Sequence, residues 1–211
     1  MYLIPNGVDV DFFKPKYKGS KIRDKFSCPL IVFVGVLYKS CDLDIVIDAM
    51  KYVVNDLPAK LIIVGDGPRK IEFFERVKKL KLERNVIFVG HKRRELVPEF
   101  IGAADVVVLP MKDNLANHSR SPVKLGEYLA SGKAVVASNV GVAKEIIENY
   151  HNGILTSNNP KKFGEATVEL LYNEMLRKKI ERNARKTAEE KLDWKIIAKK
   201  LRNIYNGLCL E

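Results

Sequence analysis

Short apolar runs alternate along the chain with stretches in which apolar residues recur every three or four positions. Runs such as LIVFVG (30–35) are rich in β-branched residues and end in glycine, which is typical of buried strands. Stretches such as DLDIVIDAMKYVVND (42–56) have helical spacing. The predicted strands are 30–35, 60–68, 85–90, 105–110, 134–138 and 153–156. The predicted helices are 42–56, 69–82, 93–104, 121–131 and 142–149, with two or three more within 160–208.

This alternation predicts an α/β fold, a doubly wound, Rossmann-like parallel sheet of about six strands with helices on both faces. Right-handed crossovers place the carboxyl ends of all parallel strands at one edge. Ligands of such folds bind at that edge, where the strand order reverses. The loops that we expect there are 35–42, 65–69, 90–93, 110–121 and 138–142.

The composition fits a globular protein with a sizeable core, because 46% of the 211 residues are hydrophobic. The sequence contains no apolar run long enough to cross a membrane, and its first residues do not read as a signal peptide. The three cysteines, Cys28, Cys41 and Cys209, are widely spaced and lie in no metal-binding pattern. We therefore expect a cytoplasmic protein that has no disulfide framework and binds no metal.

The net charge of +11 is concentrated in two segments. Residues 66–94 hold ten Lys and Arg against four Asp and Glu, and residues 161–211 hold thirteen against eight. Such a surface suits nucleotides, nucleic acid or an anionic membrane. A nucleic-acid protein would interleave its cations with exposed aromatic side chains, whereas Phe73 and Phe74 fall in an amphipathic helix that core packing explains better. Peripheral contact with an anionic membrane remains open.

The segment SRSPVKLGEYLASGKAVVAS (119–138) predicts an anion site at a helix start. Ser121 is placed as the N-cap and Pro122 as the first helical residue. The amides of Val123 and Lys124 then have no intrahelical partner and face the crevice at the sheet edge. Together with the helix dipole, these amides favour a bound anion.

Charged side chains near this helix start extend the prediction to a nucleotide diphosphate. Arg120 and Lys124 add positive charge, and Glu127 lies one turn further along, where its carboxylate can reach vicinal hydroxyl groups. Phosphates at the helix start and a carboxylate for hydroxyls describe a nucleoside diphosphate with its ribose. A nicotinamide dehydrogenase is disfavoured, because GVLYKS (35–40) lacks the glycine pattern G-x-G-x-x-G.

The ordered series of motifs resembles the group 1 retaining glycosyltransferases, and specifically the C-terminal, donor-binding half of their GT-B architecture. SPVKLGEYLASGKAVVAS is the most specific of these motifs. The motifs are IPNGVD (4–9), LIIVGDGP (61–68), NVIFVGH (85–91), the run from Glu95 to Pro110, SPVKLGEYLASGKAVVAS (121–138) and DW (193–194). The resemblance spans essentially the whole chain.

The resemblance assigns roles to several residues. Glu127 is similar to the second glutamate of the family's paired-glutamate motif, which binds the ribose hydroxyls. The amides around Val123 and Lys124 would hold the diphosphate, and Gly90 and His91 lie where the family's backbone receives the base. The implied ligand is a UDP- or GDP-sugar that acts as co-substrate, with no cofactor.

The sequence departs from the family pattern at the phosphate and sugar positions. Gly35 matches the glycine that lies against the phosphates and the sugar, but Val36 replaces the phosphate-binding arginine that follows it. Cys41 stands where a lysine is expected, and Lys39 is the nearest substitute. Ser119 occupies the position of the family's first glutamate, so no catalytic residue is assigned.

The resemblance also implies what the chain does. Such enzymes transfer a hexose-type sugar to a glycan or lipid acceptor with retention of anomeric configuration. Residues 1–20 would lead into a single donor-binding domain (1–211), and helix 193–208 would cross towards an N-terminal acceptor domain outside these residues. We expect the isolated chain to bind donor without turnover, with Arg120 and Lys124 neutralising the diphosphate. The alternatives are an eroded relative that acts as a binding or interaction module, and a basic nucleic-acid-binding protein.

Overall fold

A six-stranded parallel sheet forms the centre of the protein, as predicted, in a computed structural model that describes residues 2, 4–17, 19–39 and 41–208. The spatial order of the strands is β3-β2-β1-β4-β5-β6, and each neighbouring pair is parallel. The strands are β1 (Leu30–Val34), β2 (Lys60–Val64), β3 (Val86–Gly90), β4 (Val106–Leu109), β5 (Val135–Ser138) and β6 (Ile154–Thr156).

Helices connect the strands and close the chain. They are α1 (Ser20–Arg23), α2 (Leu43–Asp56), α3 (Lys70–Lys79), α4 (Val97–Ala103), α5 (Leu115–His118), α6 (Val123–Ala130), α7 (Val142–Ile146), α8 (Pro160–Tyr172), α9 (Glu174–Thr187) and α10 (Trp194–Leu208). The predicted helix 93–104 begins instead as a 3₁₀ turn, Arg94–Leu96, that leads into α4. Pro98 explains this start, because proline fits only the first turn of an α-helix.

Each face of the sheet has its own hydrophobic core, because successive strand residues point to opposite faces. In β1, Ile31 and Phe33 join the core beneath α2, α3 and α8, whereas Leu30 and Val32 join the core on the other face. Within the described part of the chain, no helix has both the length and the apolar character that a membrane span requires.

The strand order reverses at β1, which pairs with β2 on one side and with β4 on the other. The loops that follow β1 and β4 therefore diverge from this point and leave a crevice between them. These are the loops 35–42 and 110–121 that the sequence places at the binding edge.

The N-terminal segment packs against α6 and the end of α9. Val8 and Phe13 are buried. The Nη1 atom of Arg185 donates to the carbonyl oxygens of Val10 (3.0 Å), Phe13 (2.9 Å) and Ala130 (2.6 Å). One guanidinium group thus ties the entering segment to the last turn of α6, which fixes the helix that bears the predicted anion site.

Candidate functional site

Helix α6 is held over the end of β1 by the hydroxyl group of Tyr128. This fully buried side chain accepts a hydrogen bond from the backbone N–H of Val34, with an N–O distance of 2.9 Å. Burial raises the pKa of Tyr128 above its ordinary value, so the phenol stays neutral. Lys124 and Glu127 are three residues apart on one side of α6, and both side chains line the crevice.

Two adjoining cavities occupy the carboxyl edge at this point. The switch-point cavity, of about 350 Å³, is lined by Val34, Gly35, Val36, Tyr38, Cys41, Arg120, Pro122, Val123, Lys124 and Glu127. The β3-side cavity, of about 190 Å³, is lined by Val34, Gly35, Val36, Val64, Gly65, Asp66, His91, Lys92 and Val97. Because both share the wall 34–36, they form one continuous crevice across the end of β1.

The start of α6 differs from the prediction in its cap. Ser121 does not cap the helix, and Pro122 is the N-cap residue instead. The Ser121 hydroxyl accepts from the backbone N–H of Asn6 at 3.0 Å, while the Asn6 side-chain amide donates to the Ser121 carbonyl at 2.7 Å. The helix begins at Val123, so the amides of Val123 and Lys124 still lack intrahelical acceptors.

The ammonium group of Lys124 occupies space that Gly35 leaves free. Its Nζ atom lies 4.3 Å from the ring centroid of Phe33 and 2.3 Å from where a Cβ atom on Gly35 would stand. The side chain is partly buried, and this burial lowers the pKa of Lys124. The ammonium group of Lys124 is thus packed between an aromatic face and a bare backbone, at the wall that the two cavities share.

The side chain of Glu127 lines the same cavity and is also partly buried. Burial raises the pKa of Glu127, while the positive charges of Arg94 and Lys124 act in the opposite direction. Arg94 comes from the 3₁₀ turn before α4, and its guanidinium group also stacks on Phe12 at 5.4 Å. No sequence pattern indicates that Arg94 approaches Glu127, because the two residues are 33 positions apart and come together only in the folded chain.

The remaining predicted residues divide between those in the crevice and those outside it. His91 lines the β3-side cavity, and Gly90 before it has a φ of 71° with open space where a side chain would stand. Lys39 is exposed and lines neither cavity, so the structure does not bring it into the site. Ser119 is exposed at the end of α5, and its hydroxyl donates to the carbonyl of Ala116 at 3.2 Å.

Sequence reasoning missed two residues that shape the switch-point cavity. Phe33 lies under Lys124, and Tyr38 forms part of the wall together with Cys41, the residue at the family's lysine position. Cys41 also makes a backbone bridge with Met111, which ties the loop after β1 to the loop after β4. Burial raises the pKa of the Cys41 thiol, so a neutral group stands where the family pattern has a cation.

The crevice therefore combines features that suit a nucleoside diphosphate. It has free amides at a helix start, a cation beside them, and a carboxylate one turn away. The described residues include no group of three or more His, Cys, Asp or Glu side chains that could hold a metal ion.

Comparison with known proteins gives the family. The sequence profile described as "Glycosyl transferases group 1" matches residues 20–187. The chain belongs to this family. A relative described as an uncharacterized glycosyltransferase from Methanocaldococcus jannaschii is 30% identical over 213 aligned positions, which cover 98% of this chain and 52% of the relative. The chain thus spans about half the length of the curated relatives it matches.

Solved structures of GT-B glycosyltransferases share the fold. The Anabaena protein HepE, crystallised with UDP and glucose, is 24% identical and superimposes with a TM-score of 0.82 over 97% of this chain and 56% of HepE. The C-terminal domain of a group 1 family protein (LpcC) from Francisella tularensis, crystallised alone, is 24% identical, with a TM-score of 0.75. The superposition covers 89% of this chain and 100% of the LpcC domain. The chain therefore looks like the C-terminal half of a GT-B enzyme.

Proposed function

We propose that this chain is the nucleotide-diphospho-sugar-binding domain of a retaining glycosyltransferase that transfers a hexose-type sugar to a glycan or lipid acceptor. The observation that carries the proposal is the convergence at the end of β1 of the α6 amides, the Lys124 ammonium and the Glu127 carboxylate. The UDP bound by the structural neighbour HepE supports a uridine nucleotide as the first ligand to test.

The nucleotide extends along the crevice in this proposal. The base enters the β3-side cavity beside Gly90 and His91, and Glu127 accepts hydrogen bonds from the ribose hydroxyls. The diphosphate lies against Gly35, where the amides of Val123 and Lys124 donate to its oxygens. Two observations support this order. Glu127 lies about one turn after the amides of Val123 and Lys124 on α6, and the two cavities share the wall 34–36.

Stabilisation of the leaving group is the chemical task of this domain. When the bond between the anomeric carbon and the phosphate oxygen breaks, its electron pair passes to the diphosphate. Fixed donors and cations aimed at that charge lower the barrier. Arg120 and Lys124, which line the cavity, carry this positive charge in place of the arginine and the lysine at whose positions Val36 and Cys41 stand. The reaction needs neither a metal nor a cofactor in this proposal.

The acceptor would be bound by a second domain, so the 211-residue chain is proposed to bind donor without transferring sugar. Support comes from the crevice, which is open along the carboxyl edge, and from the relatives, which are about twice as long. Release of UDP from UDP-glucose by the purified chain, measured against a blank without protein, should stay at background. Steady UDP release would contradict this part of the proposal.

Calorimetric titration of the chain with UDP, GDP and ADP tests the binding function directly. We expect saturable binding of one nucleotide and about a 30-fold loss in the Glu127→Gln variant, because hydrogen bonds to a charged acceptor contribute roughly 2 kcal/mol. The matched control Glu83→Gln removes an exposed carboxylate that precedes β3 at the opposite edge of the sheet, and should bind normally. No binding of any nucleotide would overturn the proposal in favour of an eroded relative.

A further inference from the structure

A second surface, at the β3 edge of the sheet, lies outside the nucleotide crevice. The strand β3 is the last strand on its side, and α3 packs beside it. We call this region the β3-edge surface, and its members are Ile71, Phe74, Lys78, Lys79, Lys81, Arg84, Phe88, Lys92 and Arg93.

The middle of the β3-edge surface is apolar. Ile71 is 75% exposed and Phe74 is 44% exposed, and they lie three residues apart on one side of α3. The Phe74 ring meets Phe88 of β3 edge-to-face with centroids 6.1 Å apart, and Lys78 Nζ lies 4.8 Å from the Phe74 centroid. Single exposed apolar residues are ordinary, but Ile71 and Phe74 share one side of α3 and Phe74 contacts the partly buried Phe88, so together they form a patch.

Cations flank this apolar patch at both ends of β3. Lys79, Lys81 and Arg84 precede the strand and are exposed, whereas Lys92 and Arg93 follow it. Within the described residues, the salt bridges of segment 66–94 involve Arg69, Lys70, Arg76 and Lys78, so the five flanking cations keep their charge available. The two groups are separated by the length of β3, roughly 16 Å at the usual rise per residue.

We propose that the β3-edge surface docks this protein on an anionic lipid bilayer. Apolar side chains that enter the boundary of the acyl chains, with Lys and Arg at the level of the lipid phosphates, are the chemistry of interfacial membrane binding. The patch and its flanking cations supply both parts in that arrangement.

Other occupants fit this surface less well. A second copy of the chain would set the same five cations against each other across a symmetric contact, which is repulsive. Single-stranded nucleic acid binds by stacking its bases on open aromatic faces. Here Lys78 lies over the ring of Phe74, and the most exposed apolar side chain, Ile71, offers no face for stacking.

Docking through this surface has a consequence for the crevice. Lys92 belongs to the β3-edge surface and also lines the β3-side cavity together with His91. A bilayer bound along β3 therefore lies beside the nucleotide crevice, where an acceptor carried by a lipid would be within reach. The docking itself does not depend on the proposed nucleotide binding, so either proposal can fail alone.

Co-sedimentation with vesicles tests the proposal. The wild-type chain should bind vesicles of phosphatidylcholine mixed with phosphatidylglycerol and should not bind vesicles of phosphatidylcholine alone. The double variant Lys79→Gln/Lys81→Gln should lose about tenfold in vesicle affinity or more, because each cation near an anionic surface contributes to binding. The matched control Lys199→Gln/Lys200→Gln removes two exposed charges from α10 and should bind as the wild type does.

The apolar part is tested by Ile71→Ser, for which we expect roughly a fivefold loss of vesicle affinity. Met175→Ser is its control, because Met175 is 85% exposed on α9. Both residues are exposed, so unfolding midpoints should not change. Equal binding to neutral and anionic vesicles, equal losses in the control variants, or displacement from vesicles by RNA at matched charge would each overturn the proposal.

Discussion

Two neighbouring strand ends both carry glycine, but the space each glycine leaves is used differently. At the end of β2, a Cβ atom on Gly65 would stand 1.9 Å from the carbonyl oxygen of Gly35. At the end of β1, a Cβ atom on Gly35 would stand 2.3 Å from the ammonium nitrogen of Lys124. One gap is filled by the backbone and the other by the tip of a flexible side chain.

We expect this difference to separate a glycine with a structural role from one that borders the proposed nucleotide site. The Gly65 gap is part of the hydrogen-bonded layer of loops, in which the N–H of Gly35 donates to Val64 and that of Gly65 donates to Gly90. The Gly35 gap opens into the switch-point cavity and is filled by the end of a long side chain. Because a side chain changes its rotamer more easily than hydrogen-bonded backbone moves, we expect only the Gly35 end to respond to a ligand.

The largest expected effect is on folding stability at Gly65. Gly65→Ala should lower the free energy of unfolding by about 3 kcal/mol, because φ is 148° and the new methyl group meets a backbone oxygen. Urea denaturation measures this change. Gly207→Ala on α10 is the control, since a Cβ atom there meets nothing within 4 Å, and its stability should not fall. Equal stability of the two variants would remove the structural role assigned to Gly65.

The second expected effect concerns Gly35, at the end of β1. Gly35→Ala should destabilise the fold by about 1 kcal/mol through its φ of 154°, since the ammonium of Lys124 can withdraw. The displaced cation and the filled cavity wall should weaken UDP binding by roughly tenfold, measured by calorimetry. If Gly35→Ala lowers the free energy of unfolding as much as Gly65→Ala does, the end of the Lys124 side chain is as rigid as backbone. The proposed difference between the ends of β1 and β2 would then be wrong.

The sequence predicted the strands well because parallel strands covered on both faces need continuous apolar runs. All six predicted strands are present, and the crevice lies at the predicted edge. The sequence could not separate Gly65 from Gly35, because tight backbone packing and space for a ligand both select glycine. That distinction depends on which atoms approach from other loops.

Contacts between residues distant in sequence explain where the prediction of the site from the sequence was wrong or incomplete. Ser121 was wrongly predicted to cap α6, since its hydroxyl accepts from Asn6, 115 positions earlier, and local capping rules carry no sign of that partner. The approach of Arg94 to Glu127 has the same origin. The exposed position of Lys39 follows from the course of the loop after β1, which directs Cys41 to the cavity instead.

Removal of the Lys124 ammonium group tests directly whether the β1 end binds phosphate. Lys124→Met should weaken UDP binding by up to about tenfold, because a charge-assisted contact to phosphate is lost, and should leave uridine binding unchanged. The folding cost should stay below about 1 kcal/mol, since the lost cation–π contact with Phe33 is offset by the removal of a partly buried charge. A parallel calorimetric series with UDP, UMP and uridine locates the effect. An equal loss for uridine would assign Lys124 to the nucleoside instead of the phosphates.

The smallest effect is on the pH dependence of nucleotide affinity. Burial raises the pKa of Glu127, so its carboxylate is protonated at a higher pH than an exposed glutamate, and UDP affinity should fall as the pH drops through that range. Burial lowers the pKa of Lys124, so affinity should also fall with rising pH before an ordinary lysine would lose its proton. Glu127→Gln should remove the acid limb, apart from the protonation of UDP itself near about pH 6, which both proteins share. Lys124→Met should remove the alkaline limb. Gly65→Ala should leave both limbs in place, because it removes neither the Glu127 carboxylate nor the Lys124 ammonium. A profile flattened by that variant would contradict the separation of the two strand ends.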